Sequence, residues 1–412
     1  PYSHTVIGSL EDLQSATLQD VKDFYNKWYV PNNVTLVVAG DFEAEQTKQW
    51  VEKYFAEIQR GDDIPELEKV APVLIESKKL YYEDNFARLP YLTLTWPGVH
   101  QYHPDSYALS ILTEYLSSGQ KAPLYNKLVK EKMLTSYAGM YSSTNEVAGQ
   151  ISLSVMAFQG KDLDEVYAGI KEAFDDFDKN GIPQKDIDRI KAGSETSFYR
   201  RLSSVMGKSN QLAHYSIFAG DPGFISQDLK QLLDVTKDDI IRVYDEYIKN
   251  KAFIATSFVP KGKADLALDG SIEAEIHEEK LLEDVEEFDI NEVVPFERTP
   301  SSFDRTIEPP YGDAPETPIP DVWEVTLDNG LKVYGIKNDV VPLITLNISI
   351  KGGMLLDELE NPGVSRMMGL LMNKGTANKT PAELEEAMES LGASISIRAG
   401  RESFEIRLNC LE

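Results

Sequence analysis

A chain of 412 residues with 41 Lys and Arg against 68 Asp and Glu carries a formal charge of −27. That balance argues against nucleic acid or an anionic membrane as partner and predicts a strongly solvated surface. The length is too great for one core and predicts roughly two to three domains. The single cysteine excludes an intrachain disulfide, and no apolar run is long enough to span a bilayer.

Residues 1–60 read as helix, strand, helix. Thr17 is placed to cap a helix with Asp20 three positions on, and Val21, Phe24, Tyr25 and Trp28 recur on one face. Pro31-Asn32-Asn33 stops that helix, and the continuous apolar run at 34–40 reads as a buried strand. A second helix follows, with Trp50, Val51, Tyr54, Phe55 and Ile58 on one side. A proline-broken loop then leads to strands at 79–83 and 91–96, helices at 105–116 and 123–132, and strands at 136–141 and 150–157. A helix-rich tract fills 162–245.

Two internal correspondences organise this order. TLQDVKDFYNKWY, starting at Thr17, matches TKDDIIRVYDEYI, starting at Thr236, in the cap, the acid and the apolar stripe. Each copy is followed by an apolar strand-like run. A period of roughly 200 residues is far too long for a solenoid, so whole domains are the repeating unit. The run 91–157 likewise parallels 343–408 as strand, turn, buried helix, second helix and strand pair. In the later copy Thr380-Pro381-Ala382-Glu383 is a capping box with proline at the first helical position. The order predicts the back half of one module, a complete module and the front half of a third. The segment between the last two, 261–320, is acidic and proline-rich and reads as a linker that cannot bury enough surface to fold alone. It is expected to lie extended across its neighbours and to set by itself where the third module sits.

Residues 326–376 combine several local signals. Asn329-Gly330 predicts a two-residue hairpin turn, 343–350 alternates like a half-buried strand, and Gly352-Gly353 ends it. A helix is expected over 363–374, burying Val364, Met367, Met368 and Leu371 as a continuous stripe. Further on, the alternation of FEIRLNCL makes Cys410 a small core residue.

This layout resembles the opening of a peptidase module of the pitrilysin/insulinase family. Supporting pieces are PYSHTVIGS, SATLQDVKDFYNKWYVPNNVTLVVAGDF, APLYNKLVKEKMLTSYAGMY and the NGLKVY to NKGT stretch, in family order. The resemblance implies an α/β (α+β) fold of duplicated modules, each a mostly antiparallel sheet with helices packed on it. In that family the helix carries His-x-x-Glu-His shortly before Lys-Gly-Thr. Its two histidines grip one zinc and its glutamate acts as base toward the metal-bound water. Counting back from Lys374-Gly375-Thr376, the three positions hold Arg366, Gly369 and Leu370. Arginine is not deprotonated to become a ligand, glycine has no side chain and leucine offers no lone pair.

The resemblance therefore implies a zinc-dead copy of the module. Residues 1–60 become the C-terminal half of the first peptidase-like domain, 76–260 the complete second, non-zinc domain, 261–320 the linker, and 321–412 the N-terminal half of a third, inactive domain. Zinc would belong to the parent protein, on sequence preceding Pro1, with no cofactor bound by this chain. The family's substrate-reaching Arg and Tyr, seven residues apart, find Lys130 and Tyr137 at matching positions, but in the second domain and with a point donor in place of a planar fork.

Other candidates fall quickly. His100 and His103 fit a helix-entry turn, His277 a solvated charge run, and Gly207-Lys208-Ser209 a helix and not a phosphate loop. Two function classes follow from the resemblance. One is part of a zinc endopeptidase that encloses peptide substrates, with the remaining domains of the parent as partners and the bacterial periplasm as its compartment. The alternative is a non-catalytic peptide-binding or assembly subunit of a separate active peptidase.

Overall fold

The computed structural model describes residues 2–276, 300–308, 312, 316 and 319–412. It divides into two compact units, Leu67–Ile276 with Pro342–Glu412, and Tyr2–Glu66 with His277–Val341.

The first unit is built on a six-stranded sheet. Its strands are β1 (Lys78–Asp84), β2 (Tyr91–Gly98), β3 (Thr135–Thr144), β4 (Gly149–Ala157), β5 (Ile254–Pro260) and β6 (Ile272–Glu273), in the order β3-β4-β2-β5-β1-β6. Pairing is antiparallel except that β1 runs parallel to both β5 and β6. Alternation decides the faces: Leu92, Leu94 and Trp96 of β2 are buried while the residues between them are half-buried. Against the buried face pack α4 (Pro104–Ser117), α5 (Leu163–Asn180), α6 (Gln184–Leu202) and α9 (Lys237–Tyr247), giving one core that includes Leu109, Leu112, Ile170 and Ile240. Two further helices, α7 (Val205–Phe218) and α8 (Ile225–Asp234), complete the helical tract read from the sequence. The stretch expected to be helical at 123–132 forms a π-helical turn over Tyr125–Glu131.

His103 and Asp105 fix the entry to α4. His103 is the N-cap, its Nδ1 accepting the Asp105 amide at 3.1 Å, which makes it the helix-entry residue expected. The Asp105 carboxylate in turn accepts from Tyr247 Oη at 2.7 Å and from Arg242 of α9. Gly207-Lys208-Ser209 lies inside α7.

The stretch assigned to a linker begins inside this domain. Leu268 is buried in the core and Ile272–Glu273 pairs with β1, so 261–273 completes the sheet. The acidic composition further on masked that short apolar contribution. Positions 277–299 lie outside the described residues.

Residues 342–412 belong to the same unit and form a three-stranded antiparallel sheet, β9 (Leu343–Lys351), β10 (Ser394–Ala399) and β11 (Ser403–Leu411), ordered β10-β11-β9. Two helices, α10 (Val364–Leu371) and α11 (Pro381–Glu389), lie between β9 and β10 in sequence. The order repeats β3-β4-β2 with the same antiparallel pairings, so 343–408 reproduces the architecture of 91–157. α11 starts at the expected capping box, with Thr380 and Glu383 exchanging bonds. Cys410 is half-buried, opposite Ile344 in the β11–β9 ladder, not in a closed core.

The last segment is also fastened to the middle domain by charge. Glu386 of α11 meets Lys121 and, at 2.8 Å, Lys185, while Glu389 meets Arg189 of α6. Gly392 allows the closest approach, since a Cβ there would lie 2.3 Å from Thr196 Oγ1. The expectation that a linker alone positions this segment is corrected by these contacts.

The second unit holds α1 (Leu10–Ser15), α2 (Leu18–Trp28), α3 (Ala44–Phe55) and the hairpin of β7 (Val322–Thr326) with β8 (Lys332–Ile336). The predicted Thr17 capping box is present, with Asp20 as its partner, and duplicates the Thr236–Asp239 box of α9. The run at 34–40 is not a strand. An extended segment becomes one only by pairing its backbone groups with a neighbour, and no ladder forms there among the described residues. The hairpin loop is longer than the two residues expected. Leu327 and Leu331 are joined by a backbone bond, Gly330 N donates to Leu327 O, and Gly330 sits at φ 85°. This is a three-residue loop with glycine in the left-handed position. Among the residues read as linker, Ser301 and Ser302 donate to Glu57, and Arg305 reaches Glu57 and the Tyr54 carbonyl. Phe303 packs edge-on to Tyr54 at 5.1 Å.

Candidate functional site

The site to be judged is α10, because it carries the three positions that the resemblance assigns to a metal motif. After β9 the chain turns through Gly352 and Gly353, and Met354 N and Leu355 N donate to Gly400 O and Arg401 O of the β10–β11 turn. Gly353 must be glycine: its φ is 73° and a Cβ would stand 2.5 Å from Gly400 O. Asp357 then caps α10 from outside the helix. Its carboxylate accepts from Gly363 N and Ser365 N, both at 2.9 Å, and from Ser365 Oγ at 3.1 Å. These bonds, the Ser365 amide foremost, hold the Asp357 carboxyl below its usual range. Sequence reasoning missed Asp357, because capping across a loop leaves no fixed spacing.

The face of α10 that meets the sheet is Ser365 and Gly369. A Cβ on Gly369 would lie 3.4 Å from Ala399 N and 3.5 Å from the Phe404 ring. Small residues let the helix sit directly on β10. Val364, Met367, Met368 and Leu371 are all about half or more exposed, Met367 at 57%, so the stripe expected to be buried is not. Helical periodicity marks a face as apolar but does not say which side the sheet approaches. Arg366 and Leu370 are exposed one turn apart, with Gly369 between them on the sheet side.

Three residues that offer no neutral nitrogen, thiolate or carboxylate do not fit a zinc ion. Among the described residues no group of three or more His, Cys, Asp or Glu is placed to hold a metal. No metal step is therefore assigned to this helix.

Lys130 and Tyr137 are not brought together by any hydrogen bond among the described residues. Lys130, in the π-helical turn, donates to Gln120 O at 2.7 Å and lies over the Tyr125 ring. Tyr137 stands on β3 beside a bulge and is 68% exposed, its ring laid along Gly139.

A polar cavity of about 570 Å³ lies where α4, α6 and α8 face the Glu389–Ser394 corner. Asp228 in its wall accepts hydrogen bonds from Tyr107 Oη and Tyr215 Oη, both at 2.6 Å. Burial first, then the hydrogen bond to Asp228, pushes both phenols well above their usual range. Burial likewise raises Glu389, against the pull of Arg189. Tyr107, Tyr215 and Asp228 come from α4, α7 and α8, a convergence that no local pattern in the sequence announces.

The fold is a mixed α/β one, and α10 offers no metal ligand at Arg366, Gly369 or Leu370, the positions that the resemblance singles out. The peptidase M16 inactive domain family matches residues 15–194. The chain is 25% identical over 254 residues to the zinc protease PqqE of Helicobacter pylori, covering 61% of this chain and 56% of that protein. It is 21% identical to the mitochondrial-processing peptidase subunit beta of Saccharomyces cerevisiae, covering 61% and 57%. The periplasmic protease PqqL of Escherichia coli shares the fold with a TM-score of 0.51 at 14% identity, over 98% of this chain and 46% of that one. Curated relatives matched here include named zinc proteases, which fits the resemblance to pitrilysin/insulinase peptidases. The chain spans a little over half the length of the curated relatives named above, and among the described residues no helix is long and apolar enough to cross a membrane.

Proposed function

We propose that these 412 residues are the non-metal part of a zinc-dependent endopeptidase that encloses and cleaves peptides. They supply chamber wall, linker and inactive-half structure, and the zinc ligands come from sequence preceding Pro1. In this reading 1–60 closes the first peptidase-like domain, 76–260 is the second, and 321–412 opens the inactive half. The reading rests on α10, where Gly369 takes the place of a catalytic base and is packed against the sheet. Tyr137, itself exposed, is the better of the two substrate-contact candidates, since the Lys130 ammonium is already engaged. A bacterial periplasmic setting is part of the proposal, supported by the compartment named for the Escherichia coli relative.

The test begins with the coding sequence before Pro1. A His-x-x-Glu-His there, with peptide cleavage by the intact protein that a chelator abolishes and zinc restores, is the expected result. A degraded motif and no cleavage would overturn it in favour of a non-catalytic peptide-binding or assembly subunit. Similarity to a named subunit of a processing peptidase makes that the second reading. The 412-residue chain alone is expected to keep no zinc after dialysis and to cleave nothing.

A further inference from the structure

The polar cavity at the Glu389–Ser394 corner, of about 570 Å³, is charged differently at its two ends. It runs along α6, which lines it from Arg189 past Gly193 and Ser197 to Arg200 and Arg201. Helical rise separates Arg189 from Arg200 by about 16 Å. A Cβ on Gly193 would meet no atom within 4 Å, so the middle of that face is open.

At the Arg189 end acids prevail. Glu389 is bound to Arg189, and Asp186 lies 3.3 Å from the same guanidinium. Burial raises the Glu389 carboxyl against the pull of Arg189, and the charges of Glu385 and Glu114 stand close enough to add to the rise. Lys121 and Lys185 are both bound to Glu386, so with that trio counted the acids still outnumber the bases. Glu114 is exposed and, among the described residues, is in no ion pair.

The far end is the reverse. Arg200 and Arg201 are exposed, and among the described residues neither is in an ion pair. Arg201 rests over the Phe198 ring at 5.8 Å. Asp228, the acid of the wall on this side, is a single charge that already accepts from two tyrosines. Between the ends stand Ser110, Ser194, Ser197 and Ser394, whose hydroxyls make no hydrogen bond among the described residues.

We propose that this cavity binds a short peptide with both ends free, its ammonium at Glu114 and Glu389 and its carboxylate at Arg200 and Arg201. Two guanidinium groups suit a carboxylate, which accepts on both oxygens. A hydroxyl donates and accepts, as the amide groups of a peptide require. Four extended residues span about 13–14 Å, which the long side chains at either end bring within reach. The inference goes beyond peptide cleavage. The 412-residue chain, which cleaves nothing in that reading, is the molecule titrated, so failure here leaves the endopeptidase proposal standing.

Tetra-alanine and its N-acetyl and C-amide forms test this on the full chain by titration calorimetry. Each blocked end is expected to weaken binding about three- to ten-fold, between the worth of an exposed ion pair and that of a buried charged hydrogen bond. Glu114→Gln is expected to shrink the cost of acetylation and leave the cost of amidation. The double change Arg200→Gln and Arg201→Gln is expected to do the opposite. Both variants replace exposed side chains, and the preference each one keeps shows that it folds and binds. No binding of free tetra-alanine at millimolar concentration, equal binding of free and blocked forms, or a preference undiminished in the variant aimed at it would overturn the proposal.

Discussion

His103 caps α4 only while neutral, because its Nδ1 must accept the Asp105 amide. Burial lowers its pKa, against the opposing pull of Asp105. A depressed histidine contributes stability above its unfolded value of 6.5, and the contribution is lost as pH falls through the folded value. Stability of the middle domain is therefore expected to decline from pH 7 to pH 5, and His103→Asn, which caps without titrating, should flatten that limb in urea unfolding. Asp105 acts lower on the scale. Burial raises its pKa, but Arg242 and Tyr247 more than offset this, so its contribution is present above 3.8 and lost in stronger acid. Gly369 gives a residue-scale test of the α10 packing. Gly369→Leu should destabilise the β10–α10 contact by about 1–3 kcal/mol through overpacking, whereas Arg366→Ala on the exposed side should stay within about 0.5 kcal/mol. Amide exchange of β10 and α10 reads both.

At the scale of elements, α2 and α9 share one capping box but not one environment. Val21 and Phe24 are each 60% exposed, and their counterparts Ile240 and Val243 are fully buried. Ile240→Ala is thus expected to cost about 2–5 kcal/mol and Val21→Ala less than about 0.5 kcal/mol, although the sequence pattern treats the two alike. This contrast marks what the sequence can disclose. Caps and periodicity are local and were legible at Thr17, Thr236 and Thr380, as was the order of strands and helices through 76–260. The failures came where a partner decides. The run at 34–40 has the composition of a strand but no neighbouring ladder among the described residues, and the α10 stripe has the right spacing but faces away from its sheet. The absence of zinc ligands at Arg366, Gly369 and Leu370 was readable letter by letter. Asp357 and the Tyr107–Asp228–Tyr215 cluster were not, since they join residues brought together only by the fold.

For the whole molecule, the two units differ in how much they bury. The first has a continuous core, whereas α1, α2 and α3 of the second bury no residue. Heating is expected to give two transitions, the second unit melting first. The four tryptophans can report this separately, since Trp28, Trp50 and Trp323 belong to the second unit and Trp96 to the first. A single coincident transition by fluorescence and calorimetry would count against two independent units. The strand order also governs how the protein is made. Among the described residues β1 is bonded only to β5 and β6, and β5 enters between β2 and β1. Early strands thus wait for partners far along the chain, Lys78 pairing with Ile254 and Leu80 with Ile272. Closing such loops comes late and slows folding. On the ribosome the middle domain would stay open-edged until the chain beyond residue 260 has emerged. That interval is when a chaperone would be most needed.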